Sequence, residues 1–530
     1  MQLLTSTLAQ GTSPASIIDS LTESTRPEPA RPSRNIRQRA RIITQVLIVG
    51  LGLILLPIKT LKANNLPRLG EGATSISTNQ EYALGQVYLP LLNASLPALD
   101  DPLTIDYVEN LVYGLVPFSQ LKDTRLSIIV INNDQLNAFV VPGGLMGVNG
   151  GLFLFAESEA EISAVIAHEL AHLSQRHFAR TLEEQQKNKI PNFLAQLGTV
   201  IAIAGGTQAG VAAAQVLQAR QIENRLRFSR KNEQEADRVG ILTLVEKGID
   251  PRAMPQMFGR ISRASRYTQR PPEFLLTHPV TQSRISDSSN RAERYPKVST
   301  ETSLAFELIR ARMQMRFANS PEAQLRQFES GLKLLHAEGI KDNAQLAGQT
   351  YGLALAQMAN GQFKPAQTSI NTLLKQDPDR IAYLCLQAEL WLAEKKTAEA
   401  IELLEDGLEI NVDNYPLTLS LVNAYLAKGT QRSAQQAVNA LKPLSKKRSK
   451  DPRVWYFLAE TLGLAGDTLA LHEARAEYFL LTADITSALK QLNLAKDLAK
   501  GDFARVTRID QKIAYTVELE KQLKQLIGGR

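Results

Sequence analysis

The chain has 530 residues, enough for three or four domains at about 100–200 residues each. An apolar share of 44% and a charged share of 21% are ordinary for globular protein and exclude wholesale disorder. The formal charge of +7 is spread thinly, with its densest clusters over residues 34–41 and 446–448, so nucleic acid is not the expected partner.

Residues 1–33 are rich in Ser, Thr and Pro and read as a disordered leader. Arg34, Arg37, Arg39 and Arg41 precede an apolar stretch over 42–56. That stretch has the length of a signal-peptide core and falls short of the roughly 20 residues that span a bilayer. Export with cleavage near Ala63 is expected, and an uncleaved membrane anchor over 34–63 is the alternative. Cys385 is the only cysteine, so no disulfide forms within the chain. Its apolar neighbours Leu384 and Leu386 mark it as a small core residue.

From residue 78 to 118 apolar residues recur at helical spacing, as in Tyr82, Leu84, Val87, Tyr88 and Leu91. Three β-rich runs follow, over 126–131, 138–141 and 145–148, the last two joined by a Pro142-Gly143-Gly144 turn. A long helix is predicted from Ser158, with Glu161 completing a capping box. The Ala/Gly-rich residues 192–219 read as buried or lid-like helices. Another helix is predicted from Ser229 to Glu246, stopped by Gly248 and Pro251. Residues 264–279, with Pro271-Pro272 and His278-Pro279, read as a loop, and so does the basic cluster at 446–448.

Beyond residue 300 the pattern is helical throughout and repeats. Ala366, Ala400 and Ala434 are each 34 residues apart, and Ile370, Leu404 and Val438 keep that spacing. Gly361, Lys395 and Gly429 fall in the turns between. A 34-residue helix–turn–helix period with a fixed Ala is the tetratricopeptide pattern, because the small residue lets paired helices approach closely. A fourth, looser unit is expected from Val454 to about Leu498, and the helices before Ala347 are expected to cap the array.

The run His168-Glu169-Leu170-Ala171-His172 carries the chemistry. Residues four apart on a helix share a face, so both imidazoles can reach one zinc ion. Glu169 is rotated away from that line and is suited to act as a general base on a metal-activated water. A catalytic site needs a third ligand. His177 lies nine residues after His168, about half a turn round a continuous helix, and is set aside as structural or surface. Glu233 is the better candidate, since it shares a helical face with Asp237. One of the two can bind the metal while the other accepts a hydrogen bond from a ligand histidine. Glu235 should face elsewhere and is the fallback.

Residues 138–148 with their Pro-Gly-Gly turn, the His168–His172 helix, Asn232-Glu233-x-x-Ala236-Asp237, and Thr277-His278-Pro279 with Arg284 together resemble the HtpX-type gluzincins. The signal-like segment and the repeats narrow the resemblance to the periplasmic β-barrel assembly-enhancing proteases. It implies an α+β fold: a mainly helical zincin domain with a small β-sheet over 64–300, then an all-α tetratricopeptide solenoid over 301–530. It also implies one Zn²⁺ held by His168, His172 and Glu233, with Glu169 and Asp237 in catalysis. The activity implied is endoproteolysis and chaperone-like quality control of misassembled outer-membrane β-barrel proteins, with the repeats docking to the barrel-assembly machinery or its clients. An extended substrate would add as a strand beside the 138–148 runs. His278 either faces the substrate or takes the fourth zinc position and keeps the enzyme latent. The alternatives are a tetratricopeptide scaffold with a silent zinc domain and an inner-membrane HtpX-like protease.

Overall fold

The helical spacing near the amino end resolves into α1 (Thr78–Ser95) and α2 (Pro102–Leu115) in the computed structural model. That structure describes residues 77–184, 230–267, 273–299, 302–340 and 342–527. The leader and signal segment expected over 1–63 and the helices expected over 192–219 lie outside the described residues. Among the described residues, no helix is long and apolar enough to cross a membrane.

The three β-runs form one sheet of β1 (Ser127–Ile131), β2 (Ala138–Val141) and β3 (Leu145–Asn149) in the order β1-β3-β2. Strand β1 runs parallel to β3 and β2 antiparallel to it, so β2 is an edge. The turn joining β2 to β3 rests directly on α1. Gly143 has φ +88°, and a Cβ there would lie 2.5 Å from Glu81 O and from Gly85 Cα. Only glycine supplies both the left-handed backbone and the clearance.

After β3 the chain forms α3 (Leu152–Phe155) and α4 (Glu159–Ser174). Ser158 caps α4 by accepting from the Glu161 N–H. The predicted reciprocal bond is absent. The Glu161 carboxylate instead accepts from the Glu157 N–H at 2.7 Å and from Arg260 at 3.0 Å. Every residue from Glu161 to His172 is buried, because α4 is packed by α2, by β2 and by two later helices. Those are α6 (Arg230–Lys247) and α7 (Ala253–Tyr267), with α5 (His177–Glu184) lying before them in the chain. Gly240 sets the approach of α6 to α4: a Cβ there would stand 3.2 Å from the His168 backbone N. Gly248 ends α6 at φ +83°, with the Ile249 N–H reaching Leu244 O.

The stretch read as a loop over 264–279 is mostly helical where it is described. Helix α7 continues to Tyr267, and α8 (Glu273–Thr277) follows before α9 (Gln282–Ala292). Phe274 is fully buried and anchors α8 to the core.

Twelve helices follow among the described residues. The first two, α10 (Leu304–Arg316) and α11 (Pro321–Ala337), precede α12 (Asn343–Ala359) and α13 (Phe363–Gln376). Then come α14 (Ile381–Ala393), α15 (Thr397–Ile410), α16 (Tyr415–Lys428) and α17 (Gln431–Lys447). The run closes with α18 (Pro452–Ala465), α19 (Thr468–Leu481), α20 (Ile485–Leu498) and α21 (Phe503–Ile527). The repeat-defining residues Ala366, Ala400, Ala434, Ile370, Leu404 and Val438 are all buried between paired helices. Gly361, Lys395 and Gly429 share a left-handed backbone at φ +71°, +63° and +68°. The repeat imposes that conformation even where the residue is lysine.

The helical array folds back on the sheet and α2. Phe306 stacks on Phe153 with ring centroids 6.5 Å apart, and the Arg312 guanidinium lies 2.9 Å from Asp101. The basic cluster at 446–448 is no solvated loop. Lys446 and Lys447 form the last turn of α17, and Arg448 bonds Glu109 at 3.0 Å while lying over the Tyr415 ring. These contacts tie the array to α2. Gly143→Ala is expected to cost about 1–3 kcal/mol by forcing the β2–β3 turn off α1, measured as a lower midpoint in chemical denaturation.

Candidate metal centre

Helix α4 brings His168, Glu169 and His172 to its contact with α6, which carries Glu233 and Asp237, and His278 follows the end of α8. The Nε2 atoms of His168 and His172 are 3.1 Å apart. Glu233 Oε2 is 3.5 Å from the first and Oε1 is 3.4 Å from the second. His278 Nδ1 lies 3.4 Å from His168 Nε2 and 3.2 Å from Glu233 Oε1. One donor atom from each of these four side chains lies within 4.8 Å of the others, and all four residues are buried.

This donor set fits a zinc ion. A tetrahedron with arms of 2.0–2.1 Å has edges of about 3.3–3.4 Å, and the distances above straddle that value. Two imidazole nitrogens and a carboxylate are also the donor chemistry that zinc prefers. The electrostatics agree. Burial pushes the His168 imidazole down, but Asp237 and Glu233 outweigh it and raise it to about 9. Glu233 is pushed up by burial, yet the surrounding histidines hold it well below the usual carboxylate range. Burial keeps His172 well below the usual imidazole range, which leaves its nitrogen free to donate electrons.

Glu169 is wholly buried, and neither carboxylate oxygen has a hydrogen-bond partner among the described residues; His278 Nε2 is 3.5 Å from Oε1. Burial raises its pKa above the ordinary carboxylate value. Asp237 Oδ1 stands 2.9 Å from His168 Nδ1, the nitrogen turned away from the donor cluster. Of the two shared-face carboxylates, Glu233 therefore joins the donors and Asp237 backs a histidine.

Arg284 had no assigned role in the sequence beyond its place in the motif set. It is buried in α9 and grips both acids, bonding Asp237 at 2.8 and 2.7 Å and lying 2.8 Å from Glu233 Oε2. Its third contact is Pro279 O at 2.8 Å, next to His278. Burial alone would raise Asp237; the bonds from Arg284 and His168 outweigh it and hold the carboxyl below its usual range. The arrangement pairs a planar guanidinium with a carboxylate through two bonds.

His177 is not on the surface. Helix α4 stops at Ser174, and Arg176 adopts φ +52°, so the continuous-helix geometry that set His177 aside does not apply. His177 is fully buried with Nδ1 2.9 Å from His172 Nδ1. It stays outside the donor cluster, as expected, but it touches a member of it. Glu235 faces His177 and Arg180, not the donors.

Comparison with known proteins adds to this geometry. The family model described as Peptidase family M48 matches residues 102–292, and one described as Tetratricopeptide repeat matches residues 392–461. The chain is 33% identical to the β-barrel assembly-enhancing protease of Escherichia coli (strain K12), over 87% of this chain and 93% of that protein. It is 34% identical to the putative β-barrel assembly-enhancing protease of Vibrio cholerae, over 84% and 92%. The mitochondrial metalloendopeptidase OMA1 of Schizosaccharomyces pombe is 29% identical over 35% of this chain and 51% of that protein.

Replacing Arg284 with leucine removes the one cation that both buried carboxylates share. A loss of about 3–5 kcal/mol in denaturant-induced unfolding of the metal-free protein is expected, with Arg284→Lys intermediate.

Proposed function

We propose that this chain, which belongs to the family of β-barrel assembly-enhancing proteases, is a metalloprotease that works with zinc held by His168, His172 and Glu233. The observation that carries the assignment is the near-tetrahedral spacing of those donors beside Glu169, a buried carboxylate with no hydrogen-bond partner among the described residues. Bound there, zinc supplies a Lewis acid that lowers the pKa of water towards ~7 and polarises a scissile carbonyl. Glu169 takes the proton from the attacking water and returns it to the leaving amide nitrogen. Its raised pKa suits both halves of that transfer. Asp237 Oδ1, 2.9 Å from His168 Nδ1, favours the proton on that nitrogen, which leaves the Nε2 lone pair for the metal. Arg284 keeps both acids ionised and in place.

The substrate lies extended against β2. Of the two strands over 138–148, β3 is paired on both sides and β2 is an edge packed on α4. Backbone pairing there tolerates many sequences, which suits removal of unfolded β-rich chains. The relatives' names carry β-barrel assembly, and we extend that to this chain. Its clients are outer-membrane β-barrel proteins that stall in the periplasm, and its chaperone-like action needs no cleavage. A peptidase domain over 64–300 does the chemistry. The repeats over 301–530 dock on the barrel-assembly machinery or its clients.

A specific observation favours a latent resting state. His278 occupies the fourth corner of the donor set, and His168, Glu169, His172, Glu233 and His278 are all buried. The same segment covers the approach to the edge strand, where the Phe274 N–H bonds Leu136 O at 3.3 Å and Asn137 meets Glu273. Displacing α8 and His278 would open the fourth position and the strand edge together.

Three substitutions test these assignments. Glu169→Gln should keep zinc while cleavage of an unfolded β-barrel protein falls by about 10²–10⁴-fold. Glu233→Gln should purify with little zinc by metal analysis; full occupancy would return the third-ligand role to another residue. His278→Ala should cleave faster than the parent chain, and a folded, zinc-loaded variant with unchanged or slower cleavage would refute latency.

A further inference from the structure

The turn after α4 is built in a conformation that side chains other than glycine seldom adopt, with Arg176 at φ +52°. It is held there by the Arg176 guanidinium, which meets Glu81 of α1 at 2.6 and 3.0 Å. The turn reverses the side-chain direction that a continued helix would give. As a result His177, the first residue of α5, points back at α4.

Its two ring nitrogens are both engaged. Nδ1 lies 2.9 Å from His172 Nδ1, and Nε2 lies 3.3 Å from Glu235 Oε2, an oxygen that Arg180 also contacts at 3.0 Å. An ionised carboxylate only accepts, so the His177 Nε2 must donate to Glu235. That leaves Nδ1 of His177 as an acceptor, and His172 Nδ1–H donates to it. His172 then has its Nε2 lone pair unprotonated and aimed at the donor cluster. The other α4 imidazole is served differently, because His168 Nδ1 faces the carboxylate of Asp237 directly.

We infer that His177, backed by Glu235, is a positioning residue that fixes the tautomer and ring angle of His172 for metal binding. The inference rests on the zinc reading of the site. A histidine partner is a weaker acceptor than a carboxylate, so the two ligand imidazoles are given unequal basicity by their outer neighbours.

The test uses the full chain and two readouts besides activity: zinc affinity by competition with a chromogenic chelator, and the visible absorption of the cobalt-substituted protein. His177→Leu should weaken zinc binding by about 10–100-fold and shift the cobalt bands, while His177→Gln stays within about threefold. Glutamine can accept from His172 and donate to Glu235, so it separates positioning from space-filling. Wild-type affinity and bands in the leucine variant would overturn the inference, as would equal weakening in both variants. Should the leucine variant fail to fold, Glu235→Ala decides the matter: weakened affinity with shifted bands supports the relay, and unchanged values overturn it. If the unmodified chain bound neither zinc nor cobalt, the metal reading itself would fall.

Discussion

Glu169, Glu233 and Asp237 are carboxylates buried where α4 meets α6. A low-dielectric interior tolerates such groups only where opposite charge or hydrogen bonds meet them. Arg284 meets two of the three at once, and its guanidinium also lies 4.8 Å over the Phe258 ring. Much of the centre follows from that requirement. α9 must dock on α6 to deliver the arginine. The bond to Pro279 O then ties the His278 segment to the same cation. Gly240 keeps α6 close enough to α4 for the side chains to converge. Three histidines complete the donor cluster, two of them on α4 itself.

The same logic of compensated burial joins the helical array to the rest. Arg312 is half-buried against Asp101, Glu389 and the Tyr351 hydroxyl, so it links α2, α10, α12 and α14. Arg448 and Arg453 do likewise farther along, reaching Glu109 and Leu99 O. Apolar packing is continuous across the joint, with Phe153, Phe306 and Met313 in one core.

Features with a local or periodic cause were legible in the residues. His168 and His172 share a face because helical spacing puts them there. Ala366, Ala400 and Ala434 mark helix pairs because only a small side chain permits the close approach, and all three are buried as expected. Features that depend on a break in periodicity were missed. His177 was placed by assuming an unbroken helix, and the left-handed turn at Arg176 reversed it. No glycine or proline stands at that turn to announce it. The residues 273–277 looked like loop because prolines flank them, yet buried Phe274 makes them a helix. Arg448 looked solvated because it lies in a run of positive charge, while its carboxylate partner Glu109 is more than 300 residues away in sequence.

By itself, the sequence determined the two α4 histidines, the base beside them, the face shared by Glu233 and Asp237, and the repeat period. Each is a statement about neighbours within a few turns of helix, where geometry is set by the backbone. Only the tertiary structure decided which acid lies with the histidine donors, that one arginine holds both, that His278 lies beside them, and that His177 stands behind His172. Most of those relations join segments dozens of residues apart, and the one between His177 and His172 hangs on the left-handed backbone at Arg176. They are settled by which buried charges can find compensation together, and no local spacing records that.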